Sequence, residues 1–387
     1  MLTPVQHAIA HIVDLRPQPE PGTNLLSVEY HPESLPARRI LAALEGAALG
    51  DAFGWALEDA DPAVWLGRDP TGNVLRGLVP VGGREGLAGD GTQQLLFVAE
   101  GLLRAHNAST ASRGAVDPVP HVHAALLRWL GTQRGAGPPP RPDGWLVGQP
   151  ALHARRARSA PTRQALASGL CGRRERAVNN FVESGPALRG LVAGVAAAPP
   201  STAGWRPWDL GCDLAAVTHG NPRVHVAAGT VAVLSAALVA GVDWESALDA
   251  TWAALADAGE PGAALSAALD RALEQADLGD PGPARLSQFG DGRDPESALA
   301  IALYCVAVSP PGDAVGLAVL HAGAADRTGA LAGGLAGARW GAPAVPPEAA
   351  RLELAPLVRQ VARDLFEHFA HGPFFEPSEA DWSRYPA

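Results

Sequence analysis

The 387-residue chain contains no lysine; all thirty of its basic residues are arginine. That absence excludes a P-loop, whose phosphate-binding turn ends in lysine. The chain also lacks a GxSxG nucleophile elbow and the glycine fingerprint of a dinucleotide-binding unit. Cysteine is scarce: Cys171, Cys212 and Cys305 stand far apart with no CxxC spacing. So sparse and odd a set fits a reducing compartment and excludes a disulfide framework or a zinc site. β-Branched and aromatic alternation is nearly missing, so strands are not expected. The net charge of −10, with no concentrated basic run, argues against a duplex nucleic-acid binder. No apolar run reaches the ~20 residues of a membrane span without Gly, Pro or charge. The N-terminal MLTPVQHAIAHIVDLRPQPEPG has no uninterrupted apolar core, so no signal peptide is expected and the chain reads as cytoplasmic.

What is present is alanine, glycine, leucine and arginine at helical spacing. LPARRILAALEGAALGDAFGWALEDA places apolar residues three and four apart, and GDGTQQLLFVAEGLLRAHNA and HVHAALLRWLGTQR do the same. Further helices are expected over 162–170, 184–197, 209–217, 224–241, 244–257, 260–275, 295–307, 313–321, 328–338 and 349–370. The Gly/Pro/Asp-rich stretch from about 59 to 89 and GAGPPPRPDG read as loops. No fixed-period repeat is present. The fold class that follows is all-α. RRARSAPTR at 155–163 and CGRRERAVNN at 171–180 are local arginine concentrations, expected to line a loop or a small anionic pocket.

Four places set polar residues against apolar helical segments. In GAALGDAFGWALE, Asp51 and Glu58 are two helical turns apart and share one face. In AGDGTQQLLF, Asp90 either caps the helix that follows or serves as a ligand. In THGNPRVH, His219 and His225 flank a turn. In HAGAADRTGALAGGLAGARWG, residues 321–341, the Asp326–Arg327 pair reads as a capped helix end with Arg327 toward solvent, as half of a metal site, or as what has replaced one, and the small residues behind them allow close backbone packing. Two other groupings are weak: HAIAH at 7–11 lacks the glutamate of HExxH, and Asp364, His368 and His371 share a helical face, which as spacing alone is weak evidence of a metal site.

In order along the chain, these segments resemble the ADP-ribosylglycohydrolase family. GAALGDAFGWALE is similar to GxxxGDxxGxxxE, GDGTQQLLF to the Thr-Asp-Asp-Thr segment, and SGPALRGLVAGV to a glycine-rich segment ending in Met-Arg. THGNPRVHVAAG is similar to the T/S-H-x-x-P turn, FGDGRDPESALAIALYC to the segment ending in A-L-Y, and the 321–341 stretch to G-D-S-D-T-T-G-A-I-A-G. The resemblance implies a single compact orthogonal helical bundle over 36–345, preceded by an extension (1–35) and followed by a packed C-terminal helix and tail (346–387). It implies two Mg²⁺ ions in a cleft, held by oxygen ligands.

On this sequence the implied ligand positions are uneven. Asp90 and Asp326 keep carboxylates, whereas Gly89, Gly91, Ala324 and Arg327 stand where other ligands are expected. Two negatives cannot balance four positive charges, so at most one weak Mg²⁺ is expected. Glu58, Asp90 and Asp326 become the candidate catalytic acids, and Asp51, Arg327, His219 and Gly323 the candidate substrate-binding residues. The implied partner is ADP-ribose or a related nucleotide, free or on a protein. Three functions follow: a metal-depleted ADP-ribose binder with lost or reduced hydrolysis, an active hydrolase in which Arg327 replaces metal charge, or an interaction or immunity protein reusing the fold.

Overall fold

The computed structural model describes residues 34–57, 77–198, 204–279, 281–370 and 377–387. Fifteen α-helices appear among them: α1 (Leu35–Leu57), α2 (Asp90–Ser112), α3 (Pro118–Thr132), α4 (Ala160–Ala167), α5 (Ala187–Ala197), α6 (Pro207–Ala216), α7 (Pro222–Val239) and α8 (Trp244–Ala256) come first. They are followed by α9 (Gly259–Asp277), α10 (Pro283–Leu286), α11 (Pro295–Val308), α12 (Ala314–Ala318), α13 (Ala325–Trp340), α14 (Ala355–Ala370) and α15 (Glu379–Arg384). Among the described residues there is no strand, only the isolated bridges Val81–Arg84 and Arg173–Arg176. The all-α class is therefore correct.

The element that positions the site is the pairing of α1 with α13. Glycines recur every four residues on both, at 46, 50 and 54 and at 329, 333 and 337, forming one stripe on each helix. A β-carbon at Gly46 would collide with the Gly333 carbonyl, at Gly50 with Gly329, and at Gly54 with Ala325. The order of these contacts makes the two helices antiparallel, with backbone against backbone. Only residues without side chains permit so close an approach. The seam carries the C-terminal half of α1, with Asp51, past the N-terminus of α13, with Asp326.

Around this pair, α7 is buried from Val224 to Val239 and packs against α5, α6 and α8. By length and mean hydropathy α1 and α7 could each cross a membrane, yet most of each is buried inside the protein, as core helices are. The Asp117, Ser159, Asn221, Asp243 and Asp294 side chains cap α3, α4, α7, α8 and α11. All three cysteines are free.

Two expected helices differ, each for a tertiary reason. The helix expected over 313–321 stops at Ala318, because the chain then turns so that Ala324 N–H reaches the Asp291 carbonyl at 2.8 Å. That turn needs Gly323 at φ +136°, a conformation other residues rarely adopt. The helix expected over 349–370 is a short 3₁₀ turn, Pro347–Arg351, and then α14. Between them Glu353 N–H donates to Gly86 O at 2.9 Å, and the Glu353 carboxylate accepts Ala88 N–H at 3.0 Å. These bonds pull the backbone out of helix to brace the loop that leads into α2.

Candidate functional site

A cleft of about 540 Å³, its open mouth included, lies where α1, α2, α5 and α13 converge. Its charged lining is Asp51, Asp90, Glu183, Asp326, Arg189 and Arg327. Four carboxylates against two guanidiniums leave a formal surplus of two negative charges.

Asp51 is fully enclosed, and its Oδ2 accepts Gly89 N–H at 2.8 Å, Thr92 N–H at 3.0 Å and the Thr92 hydroxyl at 2.5 Å. These donors belong to the first turn of α2, whose own N-cap residue, Gly89, has no side chain to offer. The cap of α2 is therefore supplied from α1, and the expectation that Asp90 caps its own helix is corrected. Asp90 instead opens the helix, with its carboxylate accepting Gln94 Nε2 at 3.3 Å and the Arg158 backbone N–H. Gln94 Oε1 in turn accepts Arg189 Nη2 at 3.2 Å, while Arg189 Nη1 donates to Leu214 O at 3.0 Å.

Asp326 is likewise not a helix cap. The N-cap of α13 is Ala324, and the Asp326 carboxylate accepts the N–H of its neighbour Arg327 at 2.8 Å. Arg327 does not face solvent: its side chain is 21% exposed, lies over Gly185, and sets Nη2 at 3.7 Å from Glu183 Oε2. The α1–α13 seam explains this reversal, since it turns the first turn of α13 inward.

Glu183 is the centre of a second set of contacts. Its Oε1 accepts the Ser159 hydroxyl at 2.5 Å and the Thr162 hydroxyl at 3.3 Å, and lies 3.1 Å from His219 Nε2. His219 Nδ1 is 2.9 Å from the Thr218 hydroxyl, and its carbonyl meets His225 Nε2 at 2.6 Å. The next residue, Ser184, is tied to the 291–293 loop through Gly292 O and Arg293 O.

These environments push the acids in opposite directions. Burial raises Asp51 to about 7, reinforced by Asp326 and Asp90 and opposed by the Thr92 bonds. Burial raises Asp90 to about 7 as well, with Asp326 adding to the effect and Arg327 opposing it. Burial also favours neutral Glu183, but the His219 contact, the Arg327 charge and the Ser159 bond outweigh it and hold that carboxyl at about 2. His219 is lowered by burial, with Glu183 opposing, so it stays neutral near pH 7. Arg189 is lowered by burial to about 10 and keeps its charge.

Asp51, Asp90, Asp326 and Arg327 thus meet in the cleft, and His219 stands behind Glu183. Gly323 does not line the cleft; it packs against the Asp291 carbonyl beneath it. Glu58, His371 and the HAIAH stretch lie outside the described residues. Two residues escaped sequence reasoning. Arg189 is an isolated guanidinium inside the apolar ALRGLVAGVAA, and Glu183 is the acid immediately before SGPALRG; both flank or occupy a segment already singled out. The arginines of 155–163 do not line the cleft, although Ser159 and Thr162 of the same segment do: Arg156 donates to Ala88 O at 3.0 Å and pairs with Glu353, and the Arg156 and Arg158 guanidiniums lie over the Trp55 ring at 4.9 and 5.4 Å. Those of 171–180 form a loop of surface ion pairs, Arg173 with Asp117 and Arg174 with Asp209 and Asp213.

The cleft donors do not suit a pair of Mg²⁺ ions, each of which wants octahedral oxygen ligands. Asp51 Oδ2 is occupied by three donors, Gly89, Gly91 and Ala324 offer no side-chain oxygen, and Arg327 sets a fixed positive charge beside Asp326. Among the described residues, three acidic side chains close enough to share one ion occur elsewhere, at Asp364, Glu367 and Asp381.

The sequence profile of the ADP-ribosylglycohydrolase family matches residues 32–373. Members of that family act on ADP-ribosylated substrates, and many depend on a metal. A solved structure described as an ADP-ribosylglycohydrolase-related protein complex is similar in fold, with a TM-score of 0.58 at 24% identity over 86% of this chain and 98% of that one. No curated protein matches the sequence.

Proposed function

From the premise that this chain belongs to the ADP-ribosylglycohydrolase family, we propose that its cleft binds ADP-ribose or a related nucleotide and that Mg²⁺-dependent hydrolysis is lost or much reduced. The observation that carries the reading is the Arg327 guanidinium, turned into the cleft beside Glu183 where a cation would otherwise be needed. A guanidinium presents several donors in a fixed plane and pairs well with phosphate or ribose oxygens. Ribose hydroxyls are donors, and the carboxylates of Asp90 and Asp326 are acceptors for them.

Calorimetry with ADP-ribose, with and without Mg²⁺, tests binding; the expected result is saturable binding that needs no metal. Turnover of ADP-ribosylated arginine or serine in excess Mg²⁺ tests the second half. Robust Mg²⁺-dependent release of ADP-ribose would sink it.

One observation favours a second reading, a metal-free hydrolase. Asp90 at about 7 and Glu183 at about 2 are a pair of acids driven apart by their surroundings, the arrangement from which acid and base roles are drawn. On that reading Asp90 donates a proton to the leaving group and Arg327 supplies positive charge. Arg327→Ala then abolishes turnover, and an unchanged rate counts against it.

A further inference from the structure

Every residue of α5 from Ala187 to Ala197 is buried, and one of them is an arginine. Arg189 is 2% exposed, in a helix whose other residues are apolar or glycine. A guanidinium so placed needs hydrogen-bond acceptors, because burying an unpaired charge is costly. Nη1 donates to Leu214 O in the last turn of α6, where backbone carbonyls lack helical partners, and Nη2 donates to Gln94 Oε1 at 3.2 Å. Nε finds no partner among the described residues, so stability alone does not call for arginine here.

The bond to Gln94 has a direction. Arginine only donates, so it must take the oxygen of the Gln94 amide and leave the nitrogen for whatever lies on the other side. On that side is Asp90, one helical turn earlier on α2, whose Oδ2 accepts Gln94 Nε2 at 3.3 Å. A flipped amide would set N–H against N–H at one end and oxygen against a carboxylate at the other. Only one orientation satisfies both neighbours.

We propose that Arg189 and Gln94 are positioning residues for Asp90: the guanidinium fixes the Gln94 amide, and the amide holds one carboxylate oxygen, so that Asp90 keeps a single setting on the cleft wall. The orientation rests on hydrogen-bond chemistry alone. Its effect on affinity rests on the reading that Asp90 accepts ribose hydroxyls.

The opposing account makes Arg189 a strut that joins α5 to the end of α6 and nothing more. NMR of the Gln94 side-chain amide separates the two. Its pair of N–H signals, assigned by their loss in Gln94→Met, should lie outside the range of free glutamine amides and should move on Asp90→Ala. Arg189→Met should collapse them toward the free position, whereas removing a mere strut would lower the melting temperature and leave them in place. Arg189→Met and Gln94→Met should each lower the melting temperature, and the double variant should lose less than the sum, since no buried guanidinium is then left without its acceptor. Calorimetry with ADP-ribose should show a loss on the order of tenfold in each single variant and no further loss in the double.

If the wild type binds no ADP-ribose, the nucleotide reading falls and the amide signals still decide this one. Gln94 signals unchanged in Arg189→Met, or unaltered affinity in both single variants of a protein that binds, would overturn the proposal. Should Arg189→Met not fold, Arg189→Lys carries the same comparison, because a compact ammonium lacks the fork that reaches Leu214 O and Gln94 at once.

Discussion

Helix α2 has a buried cluster of charge at each end, and the two are built on opposite terms. At its N-terminal end lies the cleft, open to solvent, with four acids against two arginines. Toward its C-terminal end the last residues of the chain close over the body. Asn107 donates to Tyr385 O at 2.8 Å and Arg104 to Pro386 O at 2.9 Å. There Asp364 is wholly buried but satisfied on both oxygens: Oδ2 accepts the Tyr385 hydroxyl at 2.6 Å, and Oδ1 accepts Gln360 at 2.9 Å and Arg384 at 3.1 Å. Arg384 also pairs with Asp381, which caps α15 with Ser378. Three acids stand close enough to hold an ion, yet the space between them is taken by Arg384 and the tyrosine. Proximity of carboxylates is therefore a poor guide to function. The informative difference is whether the protein's own groups use up their lone pairs.

The largest effect should come from breaking the satisfied cluster. Asp364→Ala leaves the Tyr385 hydroxyl and Arg384 without their acceptor, and removing one partner of a buried pair costs about 3–5 kcal/mol. Urea denaturation should show that loss, while affinity for ADP-ribose stays as in wild type. A variant that lost affinity as much as stability would mean that the two ends of α2 are not independent.

The next effect is on pH dependence, and it separates the clusters by sign. Asp51 and Asp90 have folded values near 7, above their unfolded value of 3.8, so between about pH 4 and 7 the folded state holds more protons than the unfolded one. Stability should therefore fall as pH rises through that window. Glu183 works the other way: its folded value near 2 lies below the unfolded 4.5, so its contribution is present above pH 4.5 and is lost on acidification toward 2. Thermal melts should peak near pH 4. Asp51→Asn should flatten the decline above that peak by on the order of 3 kcal/mol, taking about 1.4 kcal/mol per pKa unit. A decline just as steep in Asp51→Asn would assign it to other groups.

Arg327→Ala probes the open cluster directly. Losing one charge-assisted contact to a ligand is worth about 1.5–3 kcal/mol, so ADP-ribose should bind at least about tenfold more weakly by calorimetry. Fold stability should change by less than about 1 kcal/mol, since the 3.7 Å contact with Glu183 is loose and partly exposed. The smallest effect should be that of Mg²⁺ itself. Millimolar Mg²⁺ should leave both the melting temperature and ADP-ribose affinity of the wild type unchanged, and a rise in either would mean the cleft still assembles a cation site.

Much of this was legible in the chain because it rests on local pattern. Apolar residues at helical spacing and the near absence of β-branched alternation determined an all-α protein, and six ordered segments carried the family. The small residues of RTGALAGGLAG announced a helix meant for close approach, and α13 meets α1 along them. The same reading placed Asp51, Asp90, Asp326 and Arg327 among the candidates, and the structure gathers them in one cleft.

Orientation was not legible, because local pattern does not say which way a helix end faces. Asp90 and Asp326 each stand at a helix start, where capping is the ordinary expectation, yet α2 is capped by Asp51 from another helix and α13 has no side-chain cap. Arg327 follows an acid in a helix's first turn and reads as a surface charge until the seam turns it inward. Glu183 draws its importance from Ser159, Thr162, His219 and Arg327, partners 21 to 144 residues away in the chain. The sequence by itself determined the helices, their small-residue faces and the chemical kinds available to the cleft. Only the tertiary structure decided which carboxylates are consumed by the protein's own donors and which remain open to a ligand, because that depends on burial and on hydrogen bonds between distant segments.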